Sequence, residues 1–247
     1  MKRAFFLLGI VFVFLCEACD SGDIEGVSYA YSDKGYVVKL TGTLSGVDSW
    51  DSKYAVSLAG FTTGDNYAQT VRSLSPSTPD GTDVSLVLPN LSNNITTVEL
   101  VITNRLRERI ITIARINLDD YSSPRDTIHM EMGTIDVSAF NCLQQGLFNV
   151  ACIQCHGGNG RSAANLNLTE GNAQNNLVDV PSTKVSDKYR VISGNAEQSL
   201  LHQILNEGGE DILHYNHTEV LSSQFKDNLT EIRSLIDEWI NKLNFED

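Results

Sequence analysis

The segment DTIHMEMGTIDVSAFNCLQQGLFNVACIQCH, residues 126–156, changes its periodicity part-way along. Up to Ile135 the side chains alternate, with Met130 and Met132 on one face and His129 and Glu131 on the other, as on a β-strand. From Ser138 onward the apolar positions are Phe140, Leu143, Leu147, Phe148 and Ala151, which share one face of a helix. That helix runs into Cys152-x-x-Cys155-His156. The change of period near residue 136 therefore predicts β-structure before it and helices after it.

Working back from this boundary, the chain offers VSYAYS, GYVVKLTGTL, KYAVSLAGF, DVSLVLPNL, TTVELVITN and RIITIARINL, each rich in Val, Ile, Thr or Tyr. Turn-forming stretches such as SDKG, SPSTPDG and NLSNN separate them. Together with the strand at 126–135 they predict an immunoglobulin-like antiparallel β-sandwich over residues 24–136. Working forward, Asn195 and Gln198 form a capping-box pattern before the helix AEQSLLHQILN. The stretch NLTEIRSLIDEWINKL repeats apolar residues at three- and four-residue steps, the signature of an amphipathic helix. Residues 137–247 are thus expected to form a small, separate all-α domain. The fold class that follows is multidomain, β followed by α. The long polar stretch NLTEGNAQNNLVDVPSTKVSDKYR leaves the second half thin in core-forming residues, so some other body is expected at its centre.

The Cys-x-x-Cys-His triplet supplies a candidate for that body. A c-type haem bonds two thiols as thioethers along one edge of the macrocycle, and the following histidine becomes an axial iron ligand. Cys152 and Cys155 are the expected attachment points for one covalent haem, with His156 as the proximal ligand. Two other chemistries use similar residues. A thioredoxin-like dithiol needs a preceding strand in a βαβ unit, and here a helix leads into the motif. A zinc site could draw on Cys152, Cys155, His214 and His217, although finger-type sites separate their histidines by three to five residues rather than two.

The blocks CIQCHGG, NLNLTEGNAQNNLVDVPS, YRVISGNAEQSLLHQIL and IDEWINKL, in this order across residues 140–243, resemble the planctomycete-type cytochrome c domains, a variant of the class I c-type cytochromes. The resemblance implies haem binding and electron transfer without further catalytic residues, hence an electron-transfer protein rather than an enzyme in its own right. That family carries a Met-Pro before the last helix, whose Met is the second axial ligand. This chain has GGEDILHYNHTEVLSSQ there, and no Met follows Met132. His214 stands about where the Met would fall, with His217 three residues on, so His214 is the first expectation for the distal ligand and His217 the second. An open sixth position is the remaining option.

Other residues read more plainly. His202 is expected to pack or face solvent, Met130 and Met132 to sit in the sandwich core, and Cys142 to be a buried free thiol. Arg105, Arg107 and Arg109 in NRLRERI read as a solvated turn. The run Gly157–Gly160 lacks the Lys and Ser/Thr of a phosphate loop.

The net charge is −13, and no basic stripe offers a nucleic-acid surface. At the N-terminus, Lys2 and Arg3 precede the apolar run AFFLLGIVFVFL, too short to span a membrane comfortably and suited to a signal peptide. Ala18-Cys19 resembles a bacterial lipoprotein cleavage site. Residues 1–18 are therefore expected to be removed, leaving Cys19 as the lipid anchor of an exported, membrane-attached protein on the periplasmic or cell-surface side. The expected partner is a redox protein of the cell envelope. The alternatives are a haem-containing binding or sensory lipoprotein with an open sixth site, and a surface binding module in which the haem is structural.

Overall fold

The computed structural model describes residues 35–122, 127–160, 162–226 and 228–244. The signal peptide, the Cys19 anchor and the VSYAYS strand lie outside the described residues.

Seven strands form two sheets: β1 (Tyr36–Ser45), β2 (Tyr54–Phe61), β3 (Thr70–Ser73), β4 (Thr82–Leu91), β5 (Thr97–Asn104), β6 (Arg109–Asn117) and β7 (Thr127–Asp136). One sheet has the order β4-β1-β7 and the other β3-β2-β5-β6. Alternation sets the buried faces. Val38 and Leu40 of β1, Val84 and Leu86 of β4, and Ile128 and Met130 of β7 point into the same core as Val56 and Leu58 of β2 and Leu100 and Ile102 of β5. The arrangement is not purely antiparallel, because β1 pairs with β7 in parallel from Val37↔Thr127 to Ser45↔Asp136. The short edge strand β3, TVRS, carries too little apolar signal to be read from sequence.

On its other face the four-stranded sheet is closed by an ion cluster. Glu99 of β5 is fully buried and accepts hydrogen bonds from Arg109 Nε and Nη2 (2.9 and 3.0 Å), Arg115 Nε (2.8 Å) and Thr112 Oγ1 (2.7 Å). Arg109 also stacks on the Phe61 ring, 3.9 Å from its centroid. The expectation of a solvated arginine turn fails at Arg109, whose partner lies on the neighbouring strand and not in the turn.

The helices do not make a separate all-α domain, which corrects the expectation of an immunoglobulin-like sandwich followed by an independent helical fold. The protein is mostly β-sheet, with small helices that follow the sheets and share their core. The described residues form one compact unit, and a single apolar cluster runs from Leu40 and Ile102 through Leu147 and Phe148 to Ile236 and Trp239. The helical elements are α1 (Ala139–Leu143), a π-wound continuation (Gln144–Cys152), α2 (Ile153–His156), α3 (Ala173–Leu177), α4 (Leu200–Glu207), α5 (Glu210–Leu213), α6 (His217–Gln224) and α7 (Leu229–Lys242).

Most are too short to close a core alone, and the sheets supply the missing surface. Gly146, in the π-wound stretch, lies so close to β6 that a Cβ there would stand 2.6 Å from Ile111 Cγ2. On α7, Ile232, Leu235, Ile236, Trp239 and Ile240 are buried, as the periodicity predicts, and Trp239 packs on Phe140 of α1 with ring centroids 5.2 Å apart. Polar ties fix the same seam. Trp50 Nε1 donates to the Val137 carbonyl (2.7 Å), Asn228 Nδ2 to the Ile110 carbonyl (3.1 Å) and Lys242 Nζ to the Ser49 carbonyl (2.8 Å).

Candidate functional site

The residues of the Cys-x-x-Cys-His motif sit at the end of a helix pinned on the sheet. Ser138 opens that helix by accepting from the Asn141 backbone N–H. Leu143, Leu147 and Phe148 anchor it in the core. Gly157 closes it, where any Cβ would overlap the Ile153 carbonyl oxygen. The side chains at 151, 152, 155 and 156 are thereby aimed into a cavity of about 560 Å³.

This cavity lies where the sequence leaves the second half short of core. Its floor is apolar, with Leu147, Phe148, Leu168, Leu177, Leu205 and Leu221 all buried. Cys152, Cys155 and His156 line one part of it. His214, Tyr215 and His217 line another, between α5 and α6. Sequence positions 61 residues apart, 156 and 217, thus face one space.

The two histidines of interest are prepared differently. His156 Nδ1 lies 3.0 Å from the Ala163 carbonyl oxygen, so the ring donates there and leaves Nε2 as the lone-pair nitrogen, the arrangement that metal-bound imidazoles adopt. Burial lowers its pKa below the usual histidine value; the Ala163 and Leu166 carbonyls act against this, and the positive charges of His217 and Arg190 add to it. His217 is half-buried. Its backbone N–H donates to the Gly208 carbonyl (2.9 Å), Tyr215 meets its ring edge-on at 5.1 Å, and its Nδ1 is sealed from solvent without a hydrogen-bond partner. Burial lowers its pKa too, with the Gly208 and Tyr215 carbonyls partly offsetting. Burial thus favours the neutral form of both rings. His214 is exposed and sits in the left-handed region (φ +57°) at the end of α5, on the cavity rim.

The thiols are free, and none of the three described cysteines is in a disulfide. Burial, with a smaller contribution from Cys155, pushes the Cys152 thiol up to about 12. A dithiol oxidoreductase needs the opposite shift and an electropositive setting. The zinc arrangement gains nothing from the geometry, because among the described residues no three His, Cys, Asp or Glu side chains gather as an ion site. A large flat apolar group tethered by two thiols and bounded by two imidazoles does fit. The volume falls within the roughly 300–1,000 Å³ range of cofactor sites, and the wall is mainly apolar.

The remaining candidates fall as follows. His202 Nδ1 pairs with Asp237 Oδ1 at 2.7 Å on the α4–α7 face, away from the cavity. Met130 is in the sandwich core, and Met132 does not line the cavity. Cys142 is buried against the Val137 carbonyl. Asn195 accepts from the Gln198 backbone N–H, one half of the capping pattern, and the regular helix begins five residues later at Leu200. Arg190, buried on the cavity wall, carries no sequence signal of its own between Tyr189 and Val191.

Comparison with protein-family models, with curated proteins and with solved structures finds no match. The case for a cofactor therefore rests on the cavity. Among the described residues no helix is long and apolar enough to cross a membrane.

Proposed function

We propose that the protein is a monohaem c-type cytochrome that carries electrons at the bacterial cell envelope, exported and held to the membrane through a lipid on Cys19. The observation that carries this reading is the shared cavity: Cys152, Cys155 and His156 on one part of its wall, His217 on another, and leucine and phenylalanine between.

Haem bound there would supply a reversible one-electron ferric/ferrous couple. The chain's own residues do the rest. Cys152 and Cys155 provide the two tethering sulfurs. His156, oriented through Nδ1 by the Ala163 carbonyl, presents Nε2 as the proximal ligand. His217 is the better distal candidate than His214, because its ring is withdrawn from solvent and lacks a partner for Nδ1, whereas His214 is exposed. Imidazole in place of a thioether favours the oxidised iron and lowers the potential. The buried leucines exclude water, which limits reorganisation around a change of charge. Ile212 and Tyr215, both about half exposed at the cavity mouth, form the apolar rim on which a redox partner protein would dock.

The β-sandwich, on this reading, is a rigid support. The haem-bearing helix is seated directly on β6 through Gly146 and Ile111, so the redox site and the sandwich move as one body. The test is a reduced-minus-oxidised absorption spectrum of the matured protein, followed by its pyridine adduct after denaturation. A low-spin spectrum that becomes a c-type pyridine spectrum supports the reading. Protein that stays colourless after expression with haem-attachment machinery overturns it.

A further inference from the structure

Among the described residues, Arg190 is the one strongly charged group buried in the cavity wall. It is 7% exposed. Its Nη1 donates to the Asn176 carbonyl (2.7 Å), and its Nη2 to the Ala164 and Asn165 carbonyls (3.0 and 3.2 Å). All three acceptors are neutral. Among the described residues no carboxylate lies within ion-pair distance of it, and Nε has no acceptor there. Glu99 of β5 shows how this chain treats buried charge elsewhere, with two arginines on one carboxylate.

A buried cation without a counter-ion is costly, and natural sites retain one where an anion arrives from outside the chain. The three carbonyls aim the guanidinium and consume only part of its five donors. Arg190 lines the same cavity as His156. Lys184 lines that space as well but is exposed, so its charge is solvated and does not share the requirement.

We infer that Arg190 is the anion-binding residue of this cavity and takes a carboxylate of the occupant, which is a haem propionate if the function proposed above is correct. The chemistry is a charge-assisted hydrogen bond. Its consequence is that one propionate stays ionised within the protein, with its negative charge balanced by a fixed cation. Arg190 thereby both orients the macrocycle and sets part of the electrostatic field at the iron.

The test compares matured wild type with Arg190→Gln, which keeps donors for the backbone carbonyls but loses the charge, and Arg190→Lys, which keeps the charge. The readouts are the midpoint potential at a fixed pH and infrared redox-difference spectra with haem labelled with carbon-13 at its carboxylates. Haem has two propionates and Arg190 takes one, so at about pH 6 Arg190→Gln shows one more neutral labelled carboxyl than wild type or Arg190→Lys, because removing an adjacent cation raises a carboxyl pKa. Above that pH, where the propionate is ionised in every variant, the potential of Arg190→Gln lies below both others. A residue that merely clamps the 164–176 loops would change stability and leave both readouts alone. The inference is overturned if Arg190→Gln matches wild type in spectrum and potential. Should that variant not fold, two neutral labelled carboxyls in wild type at about pH 6 overturn it equally, and at least one ionised labelled carboxylate supports it. Wild type without haem removes the functional reading itself, a different and recognisable failure.

Discussion

Gly146→Ala tests whether the helix that carries the motif is built on the sheet. An added Cβ would stand 2.6 Å from Ile111 Cγ2 and 3.2 Å from Cγ1, where carbon atoms normally rest about 3.5–4.0 Å apart. Close to 1 Å must open between the helix and β6, in a seam where both Ile111 and Leu147 are buried. Overpacking of this kind costs about 1–3 kcal/mol. The substitution also removes a flexible glycine from a helical segment, which returns roughly 0.5–1 kcal/mol. The net expectation is a loss of about 0–2.5 kcal/mol, centred near about 1 kcal/mol. Ile111→Ala alone costs about 2–5 kcal/mol through the cavity it leaves, but it deletes the atoms that the new Cβ would strike. In that background Gly146→Ala should therefore become stabilising by about 0.5–1 kcal/mol, a reversal of sign. Urea unfolding of the haem-loaded single and double variants, followed by far-ultraviolet circular dichroism, measures the coupling directly. If Gly146→Ala stabilises the protein in both backgrounds, the helix is not seated on β6 and the single-core description fails.

Four further outcomes follow from particular contacts. Glu99→Ala leaves Arg109 with only 19% of its side chain exposed and no carboxylate, so urea unfolding should register a loss of about 3 kcal/mol, the low end for a broken buried pair because Arg115 is half exposed and can turn to water. His217→Ala should convert the iron from low to high spin with haem still attached, whereas His214→Ala should leave the spectrum low-spin; the reverse pattern would exchange their roles. Burial pushes the Cys142 thiol well above the usual cysteine range, so its peptide should resist alkylation at about pH 8 in the native state and react fully in denaturant, read by mass spectrometry. Trp239→Ala, which removes the ring packed on Phe140 at the seam of α1 and α7, should cost about 3–5 kcal/mol in the same unfolding assay.

Much of the β-structure was legible because β-branched composition bounded by turn residues is a local signal. The segments containing Val38–Leu44, Val56–Phe61 and Val98–Ile102 announce their strands without reference to any partner. Pairing is not local, and nothing in Val37–Ser45 or Thr127–Asp136 says that these two strands lie parallel. The same limit explains the error over the helical half. Leu143, Leu147, Ile232 and Trp239 show a helical face, but periodicity does not reveal what a face packs against. Here the stretch through Gly146 lies against β6 of the sandwich, and Trp239 of α7 packs on Phe140 of α1, because helices this short and few bury too little among themselves.

At the site, Cys152, Cys155 and His156 were readable because the chemistry ties them within five residues. The distal side was not, since His214 and His217 differ only in how the turn after Gly208-Gly209 orients them. Backbone conformation, with His214 left-handed at φ +57°, decides which imidazole is withdrawn from water. Arg190 and Glu99 illustrate a third case. A single charged residue in an apolar run looks like a solvated position until burial and partners are known.

The central claim is a covalent tetrapyrrole on the Cys-x-x-Cys-His segment, and intact mass spectrometry of the matured, denatured protein addresses it most directly. The expected result is the polypeptide mass plus one haem, with the added mass confined to the peptide containing residues 152–156 and lost when both cysteines are replaced by serine. A folded protein whose mass shows no such addition, after production alongside a haem-attachment system that loads another c-type cytochrome, would contradict the claim.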